Sequence, residues 1–384
     1  MVKKHAVILL FGGIAALMVA MGVGRFAFTP ILPMMLEEHL ISPAHAGYLA
    51  SSNYLGYLVG AIALTIYQPK RLASFLLVGL LISVLTTWGM AEFNGLEVWM
   101  LLRFLSGAAS AAVFILTSNI VLEYLSPFQT GFLYGAVGLG ILLTGIFVPV
   151  FAQHGDSFFV WKGLGLLSLI LGVIAWFLLK QQSSSNQIPK ASSIAQRQES
   201  VKQILVFIII AYSLEGLGYI VTGTYLVAYV KSFSSITNIS SLSWVLVGIA
   251  AAPSCLIWSI LASKIGHKKS LILAMILQAI GIAIPVIVPS LASVYVGALL
   301  FGATFMGITT LSIAFVKHVD SKNSRKLVGL LTAFFGLGQI IGPLIAGFLI
   351  SGAGNYNTAL VGAALVVLLG AMILQFGIRR PRYV

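Results

Sequence analysis

The sequence predicts an all-α integral membrane protein with twelve transmembrane helices, arranged as two pseudo-symmetric halves of six helices each. Three observations predict this fold: an apolar composition, twelve long apolar segments and a repeat that relates the halves. Of the 384 residues, 59% are hydrophobic and only 8% are charged, and the mean hydropathy is +1.04. Soluble proteins carry about 25% charged residues. So few charges suit a surface that faces lipid on all sides.

Each of the twelve apolar segments is long enough to cross a bilayer as a helix, which takes about 20 residues. The first begins after Lys3 and Lys4, and we expect it to be retained as a helix rather than cleaved as a signal peptide. In chain order the segments cover residues 6–35, 44–67, 72–92, 96–123, 128–153, 157–180, 201–230, 240–263, 269–289, 291–316, 326–351 and 356–378.

A polar run divides the chain into nearly equal halves. Residues 181–200 are rich in Ser and Gln and predict a cytoplasmic linker between six-helix bundles at 1–180 and 201–384. The halves also share glycine patterns at nearly constant spacing, which predicts a parallel repeat. The matches are Gly22-Val-Gly-Arg25 with Gly216-Leu-Gly-Tyr219, Gly107-Ala108 with Gly302-Ala303, and Gly138-Leu-Gly140 with Gly336-Leu-Gly338. The same glycines also let helices pack closely.

Basic residues predict that both termini are cytoplasmic, because Lys and Arg in short loops remain on that side. With the N-terminus inside, 18 of the 22 Lys and Arg residues are cytoplasmic. Lys162 and Lys231 fall on the outer side, and Arg25 and Arg103 lie within spans. The formal charge of +13 then reflects loops that face anionic membrane lipids, and no nucleic-acid partner is expected.

Three motifs resemble those of one transporter superfamily. Arg103-Phe-Leu-Ser-Gly107 fits R-x-x-x-G, and Gly338-Gln-Ile-Ile-Gly-Pro-Leu-Ile-Ala-Gly347 closely fits G-x-x-x-G-P-x-x-G-G. The run from Ser259 to Lys269 is similar to G-x-L-A-D-R-x-G-R-K, with Ser263 in place of the acid. Over its whole length the chain thus resembles the major facilitator superfamily (MFS) of secondary transporters.

One branch of that superfamily is closer. The runs Gly24-Arg-Phe-Ala-Phe-Thr-Pro-Ile-Leu-Pro-Met34 and Gly218-Tyr-Ile-Val-Thr-Gly-Thr-Tyr-Leu226 resemble the paired signatures of the YbfB/YjiJ-type branch. The resemblance implies the MFS fold, a monomer and a bacterial inner membrane. It implies transport by alternating access without naming a substrate.

Two arginines inside spans predict where a solute binds. A charge near the middle of a span costs about 3 kcal/mol on insertion scales, so it usually faces water or a partner. Helix rise places Arg25 and Arg103 at a shared depth, roughly 10–15 Å below the outer boundary. Two guanidinium groups there could clasp a carboxylate or phosphate, which predicts an anionic or zwitterionic substrate. The alternatives are a structural ion pair or snorkelling for Arg25, and hydrogen bonds to backbone carbonyls for Arg103.

Glu215 is the acidic residue predicted to lie inside the second half, near the bilayer midplane. Burial favours the neutral form of a carboxylic acid, so Glu215 is a candidate for proton coupling. The alternative is a Glu215–Arg25 or Glu215–Arg103 bridge that acts as a gate. Glu123, at the cytoplasmic end of the fourth segment, is predicted to cap a helix or bridge a gate.

Other polar residues within the spans are further candidates for solute contacts. Tyr219 ranks first because it occupies the repeat position of Arg25. More than half of these residues are expected only to hydrogen-bond between helices. The others are Asn53, Tyr54, Tyr57, Asn119, Tyr134, Tyr212, Tyr225 and Gln339.

The leading functional hypothesis is a proton-coupled carrier for a small organic anion or zwitterion. A variant is proton-driven efflux of amphipathic drugs or metabolites, which the many Phe and Met residues permit. A membrane enzyme or sensor is the non-transport alternative, but no Ser–His–acid spacing or phosphate loop supports an enzyme. The single cysteine, Cys255, and six scattered histidines predict neither a metal site nor a cofactor.

Overall fold

The computed structural model describes residues 2–67, 69–180, 199–233, 237–320 and 323–378, and within these ranges the protein is helical without strands. The helices are α1 (Val2–Leu17), α2 (Phe28–Glu37), α3 (Pro43–Ile66), α4 (Leu72–Glu92), α5 (Leu96–Val121), α6 (Pro127–Ala152), α7 (Ser157–Leu179), α8 (Glu199–Phe233), α9 (Thr237–Ile265), α10 (His267–Ile287), α11 (Leu291–Val319), α12 (Ser324–Ala353) and α13 (Asn357–Gly377).

Helices α1 and α2, joined through a π-helical turn at Met18–Val23, form the first span, and α3 to α13 are the second to twelfth. Twelve spans within the described ranges are long and apolar enough to cross a membrane. Their ends differ from the predicted segments by three residues or fewer. The predicted fold class is therefore confirmed. Residues 181–198 of the predicted linker lie outside the described residues.

Local sequence explains where several helices begin. Ser42, Ser126 and Ser290 each accept a hydrogen bond from a backbone N–H in the first turn of the helix that follows. Asp156 caps α7 in the same way, with 2.9 Å between its Oδ1 and the Phe159 nitrogen. Only Gly266 separates α9 from α10, and its φ of +87° favours glycine.

The outer surface of the bundle is apolar. Large side chains on the lipid-facing sides of the helices are exposed, including Ile66, Leu85 and Phe376. An apolar surface of this extent would drive aggregation in water, but it is what a bilayer requires. We call the end of the bundle where α1 begins the N-terminal face, and the end that carries residues 38–42 the opposite face.

Equivalent helix pairs pack together in the two halves. In the first half α3 packs on α5, α4 on α5 and α7, and α1 on α7. In the second half the matching contacts are α9 on α11, α10 on α11 and α13, and α8 on α13. Between the halves, α3 packs on α12 and α6 on α9. This pattern follows the repeat that the glycines predict.

The glycines of the repeat lie at equivalent helix crossings. A Cβ atom at Gly107 would overlap the backbone carbonyl of Asn53, and one at Gly302 would overlap that of Val247. Val247 lies 194 residues after Asn53, which is the repeat spacing. These glycines thus bring backbones together at the same place in each half.

We expect Gly107→Ala to destabilise the protein by about 1–3 kcal/mol or more, because the added methyl group forces α5 away from α3. The measurement is the melting temperature of purified protein in detergent. Gly362→Ala is the matched control, since nothing lies within 4 Å of its added Cβ and alanine favours a helix interior. Equal melting temperatures for the two variants would contradict this assignment.

Candidate functional site

The first span is broken at its centre. The Gly24 N–H bonds to the Val19 carbonyl (2.9 Å) and the Phe26 N–H to the Met21 carbonyl (3.2 Å), both one residue further back than in an α-helix. Four residues of irregular turn, 24–27, then lead into α2. The break releases backbone carbonyls from the regular helical ladder, and in a membrane interior each of them needs another donor.

Polar side chains of α3 and α5 supply those donors. The Gly24 carbonyl oxygen accepts hydrogen bonds from Arg103 Nη1 (3.0 Å), Asn53 Nδ2 (3.3 Å) and Ser106 Oγ (2.8 Å). The Arg25 carbonyl accepts one from Arg103 Nη2 (3.2 Å). These bonds fix the position of the backbone at Gly24 and Arg25, and so the direction of the Arg25 side chain.

Arg103 and Asn53 are therefore placed behind the site rather than in it. Both side chains are buried, and the terminal nitrogens of Arg103 are used by the first span. Its guanidinium carbon also lies 5.1 Å from the centre of the Phe28 ring. The structure thus gives Arg103 the backbone contacts that the sequence analysis held as the alternative to an anion clasp.

Arg25 lines a cavity of about 150 Å³ between the two halves. Its guanidinium carbon lies 4.5 Å from the ring centre of Tyr57 and 4.8 Å from that of Tyr54. Contacts of this kind engage the face of the guanidinium, whose N–H groups donate in its plane. The side chains of Tyr54 and Tyr57 are also within hydrogen-bonding range of Arg25. Its Nε atom has no hydrogen-bond partner among the described residues.

Among the described residues, neither Arg25 nor Arg103 pairs with a carboxylate. The ion pairs within the described residues are Lys162 with Glu92 (3.1 Å) and Lys231 with Glu37 (3.3 Å), both at the opposite face. The bridge from Glu215 to either arginine is thus not formed in this structure. Two buried guanidinium groups remain without a carboxylate from the described chain, which is costly in a membrane interior.

The second half contributes an aromatic wall to the same cavity. Tyr219, the repeat partner of Arg25, lines it, and the Gln339 side-chain amide donates to its hydroxyl. Tyr212, Phe305 and Phe335 line it as well. In the first half, Ala61 extends the lining one helical turn beyond Tyr57, toward the N-terminal face.

Contacts between the halves close the opposite face. They link α2, the start of α3 and the end of α8. They are Thr29 Oγ1 to the Gly223 carbonyl (2.5 Å), the Tyr225 hydroxyl to the Pro43 carbonyl (2.9 Å), and the Lys231–Glu37 ion pair. Gly223 lies 194 residues after Thr29, so the first of these contacts joins repeat-related positions.

Glu215 is fully buried within the second half and does not line the cavity. The side chain of Gln278 in α10 is a polar neighbour. Neither carboxyl oxygen of Glu215 and neither polar atom of the Gln278 amide makes a hydrogen bond within the described chain. An unsatisfied buried carboxyl group is costly, and ionisable residues inside a membrane are usually functional for that reason.

Three further predicted residues, besides Arg103, Asn53, Tyr54, Tyr225 and Glu215, are absent from the lining of the cavity. Tyr134 reaches the Ser118 hydroxyl (3.4 Å) and stacks on Phe114, so it bonds between helices. Asn119 and Glu123 are exposed near the N-terminal-face end of α5. No group of three or more His, Cys, Asp or Glu side chains in the described ranges could hold a metal ion.

Tyr212 and Tyr219 were predicted as candidates, but the phenylalanines of the second half, Phe301, Phe305 and Phe335, were not. Phe301 and Phe305 lie 195 residues after Ser106 and Ser110, which both bond to the broken first span. Comparing the repeats at these positions would have identified them, because two hydroxyl residues in one half correspond to two aromatic rings in the other.

Comparisons with known proteins agree with the fold. The profile of the family described as "Uncharacterised MFS-type transporter YbfB" matches residues 17–375. A solved structure of the nucleoside transporter NupG superposes with a TM-score of 0.75 at 15% identity, covering 97% of this chain and 100% of that one. A point mutant of NupG superposes over the same shares of both chains with a TM-score of 0.78 at 14% identity.

Three relatives from Bacillus subtilis match nearly the whole chain. "Uncharacterized MFS-type transporter YceJ" is 25% identical over 94% of both chains. "Hexuronate transporter" is 23% identical over 92% of this chain and 90% of its own length. "Multidrug resistance protein 2" is 21% identical over 89% of this chain and 88% of its own.

We expect Arg103→Met to lower the stability of the protein by about 1–3 kcal/mol. The Arg25 carbonyl loses its side-chain donor, and the Gly24 carbonyl loses one of its three side-chain donors. The melting temperature in detergent measures the change. Asn119→Ala, on the same helix but exposed, should melt like the wild type. An Arg103→Met protein as stable as Asn119→Ala would show that the break does not depend on this arginine.

Proposed function

Because the chain belongs to the YbfB-type family of MFS transporters, we propose that it carries a small organic anion or zwitterion across the membrane, coupled to protons, by alternating access. The protein is a multi-pass membrane transporter, not an enzyme. Its bacterial relatives suggest the inner membrane.

The buried, carboxylate-free guanidinium of Arg25 at the cavity wall carries the proposal for an anion. A cation held away from water without a counter-charge is costly, and a bound carboxylate offsets that cost with charge-assisted hydrogen bonds. The charge of Arg103 behind the wall adds to the same positive field. In this proposal Arg25 binds the substrate, and Arg103, Asn53 and Ser106 position Arg25.

Glu215 carries the proposal for proton coupling. A negative charge on Glu215 would oppose an anion in the adjoining cavity, so protonation of Glu215 favours anion binding. Tyr219 lies within electrostatic range of both Arg25 and Glu215 and connects the two sites. Proton and anion then bind together, and the proton gradient drives the anion in the same direction.

The closed opposite face and the cavity reaching toward the N-terminal face correspond to one of the two states of alternating access. By the distribution of Lys and Arg, the N-terminal face is cytoplasmic and both termini lie inside. The structure then represents an inward-facing state. Rocking of the halves would break the Thr29, Tyr225 and Lys231 contacts and open the other side.

Efflux of amphipathic compounds is the second candidate. It is favoured by the aromatic lining of the cavity and by the similarity to Multidrug resistance protein 2. An efflux pump for cations or neutral drugs has no need of Arg25 as a ligand, so transport assays on an Arg25 variant separate the two functions.

We expect Arg25→Gln to reduce anion transport about 10- to 100-fold, because a hydrogen bond to a charged group contributes about 1.5–3 kcal/mol. The measurement is counterflow in liposomes with labelled lactate, benzoate, glucuronate and glutamate. Lys162→Gln removes one charge at the exposed Lys162–Glu92 pair and serves as the control. Exchange of tetraphenylphosphonium alone, unaffected by Arg25→Gln, would favour efflux instead.

For Glu215→Gln we expect counterflow of the same acid to persist and accumulation driven by a proton gradient to be lost. Wild-type affinity for the acid should rise as the pH falls, because protonated Glu215 favours the anion, and the variant should lose this pH dependence. Glu123→Gln, at an exposed position, is the matched control. Proton-driven accumulation by Glu215→Gln would contradict the coupling role.

A further inference from the structure

The aromatic wall of the cavity is a column of nearly parallel rings contributed by three helices. The ring centres of Tyr212 and Phe335 are 4.2 Å apart, with an angle of 8° between the planes. Phe335 and Tyr219 follow at 5.6 Å and 10°, and Tyr219 and Phe305 at 5.9 Å and 8°. Rings from α8, α11 and α12 therefore share one orientation beside the cavity.

The size of the cavity suits a single ring. Its volume is about 150 Å³, and an apolar cavity of about that volume in another protein admits benzene. Aromatic pairs prefer offset-stacked or edge-to-face contacts with ring centres about 4.5–7 Å apart. Because these rings stack on one another, a planar ring in the cavity contacts their edges, which is the edge-to-face arrangement.

Three polar side chains of the second-half wall already take part in a hydrogen bond within the protein. The hydroxyl of Tyr219 accepts from Gln339. Thr332 Oγ1 donates to the Val328 carbonyl at 2.8 Å, and Thr309 Oγ1 to the Phe305 carbonyl at 3.3 Å. A sugar acid would bring several hydroxyl groups that each need a partner. An aromatic ring needs none, and the one strongly polar group it must carry is a carboxylate for Arg25.

We infer that the substrate is a planar aromatic carboxylate with a single ring, held with its carboxylate on Arg25 and its ring against Tyr219, Phe305 and Phe335. This inference rests on the proposed function and adds to it the class of anion. Arg25 selects a substrate with a negative charge. The ring column, formed by Tyr212, Phe335, Tyr219 and Phe305, selects one with a flat hydrocarbon ring.

The test compares acids of matched charge. Dissociation constants for benzoate, cyclohexanecarboxylate and glucuronate are measured by calorimetry on the purified full-length protein. We expect benzoate to bind about three- to tenfold more tightly than cyclohexanecarboxylate, which matches the contribution of one aromatic pair. Phe335→Leu and, independently, Phe305→Leu should bring this ratio close to one. Phe11→Leu, on the exposed side of α1, should leave it unchanged.

Each alternative result identifies what has failed. Equal binding of benzoate and cyclohexanecarboxylate, or tighter binding of glucuronate, with all affinities lost in Arg25→Gln, would overturn the aromatic class and leave the anion carrier standing. Binding of uncharged benzyl alcohol as tightly as benzoate, unaffected by Arg25→Gln, would overturn the proposed function as well. Unchanged selectivity in two folded Phe→Leu variants would also overturn the role of the ring column.

Discussion

The rest of the site depends on one constraint: the backbone carbonyls freed by the break in the first span must all be hydrogen-bonded by the protein. A helix that opens inside a membrane exposes carbonyl groups that cannot find water, and each must be bonded by protein. Arg103, Asn53 and Ser106 converge on the Gly24 carbonyl for this reason. Their bonds hold the next residue, Arg25, at the cavity wall, so a structural need and a binding role are met by adjacent residues.

The two halves share their helix pairing but differ at the position of Arg25 and of the helix break. In the second half α8 runs unbroken from Glu199 to Phe233, and Tyr219 stands where the first half has Arg25. Phe301 and Phe305 replace the two serines that bond the broken span. The first half thus places the charge of Arg25 at the cavity, and the second half places aromatic rings there. A ligand in the cavity can contact both.

The fold was largely predictable, because the lengths of the spans and the glycines at helix crossings are set by strong, local physical requirements. Arg25, Tyr57, Tyr219 and Gln339 were predicted at the site and line the cavity. The position of Arg103 was not predictable from depth alone, because a long side chain at the right depth reaches either a cavity or a backbone. Which one it reaches depends on where the neighbouring helix breaks.

Phe305 and Phe335 were not predicted, because Phe side chains face lipid, core and cavity alike and hydropathy does not distinguish these environments. The same ambiguity applies to Asn119, which lies on an exposed part of α5 although its type and span suggested a ligand. Assigning such residues requires the direction of each helix face, and this is fixed only when all twelve spans pack together.

A crystal structure of the protein with 4-bromobenzoate would show directly whether Arg25 and the ring column bind one ligand, because anomalous scattering locates the bromine. We expect one bromine peak inside the cavity beside Phe335, with the carboxylate turned toward Arg25. A peak on the lipid-facing surface, or a molecule in the cavity with its carboxylate turned away from Arg25, would contradict this expectation.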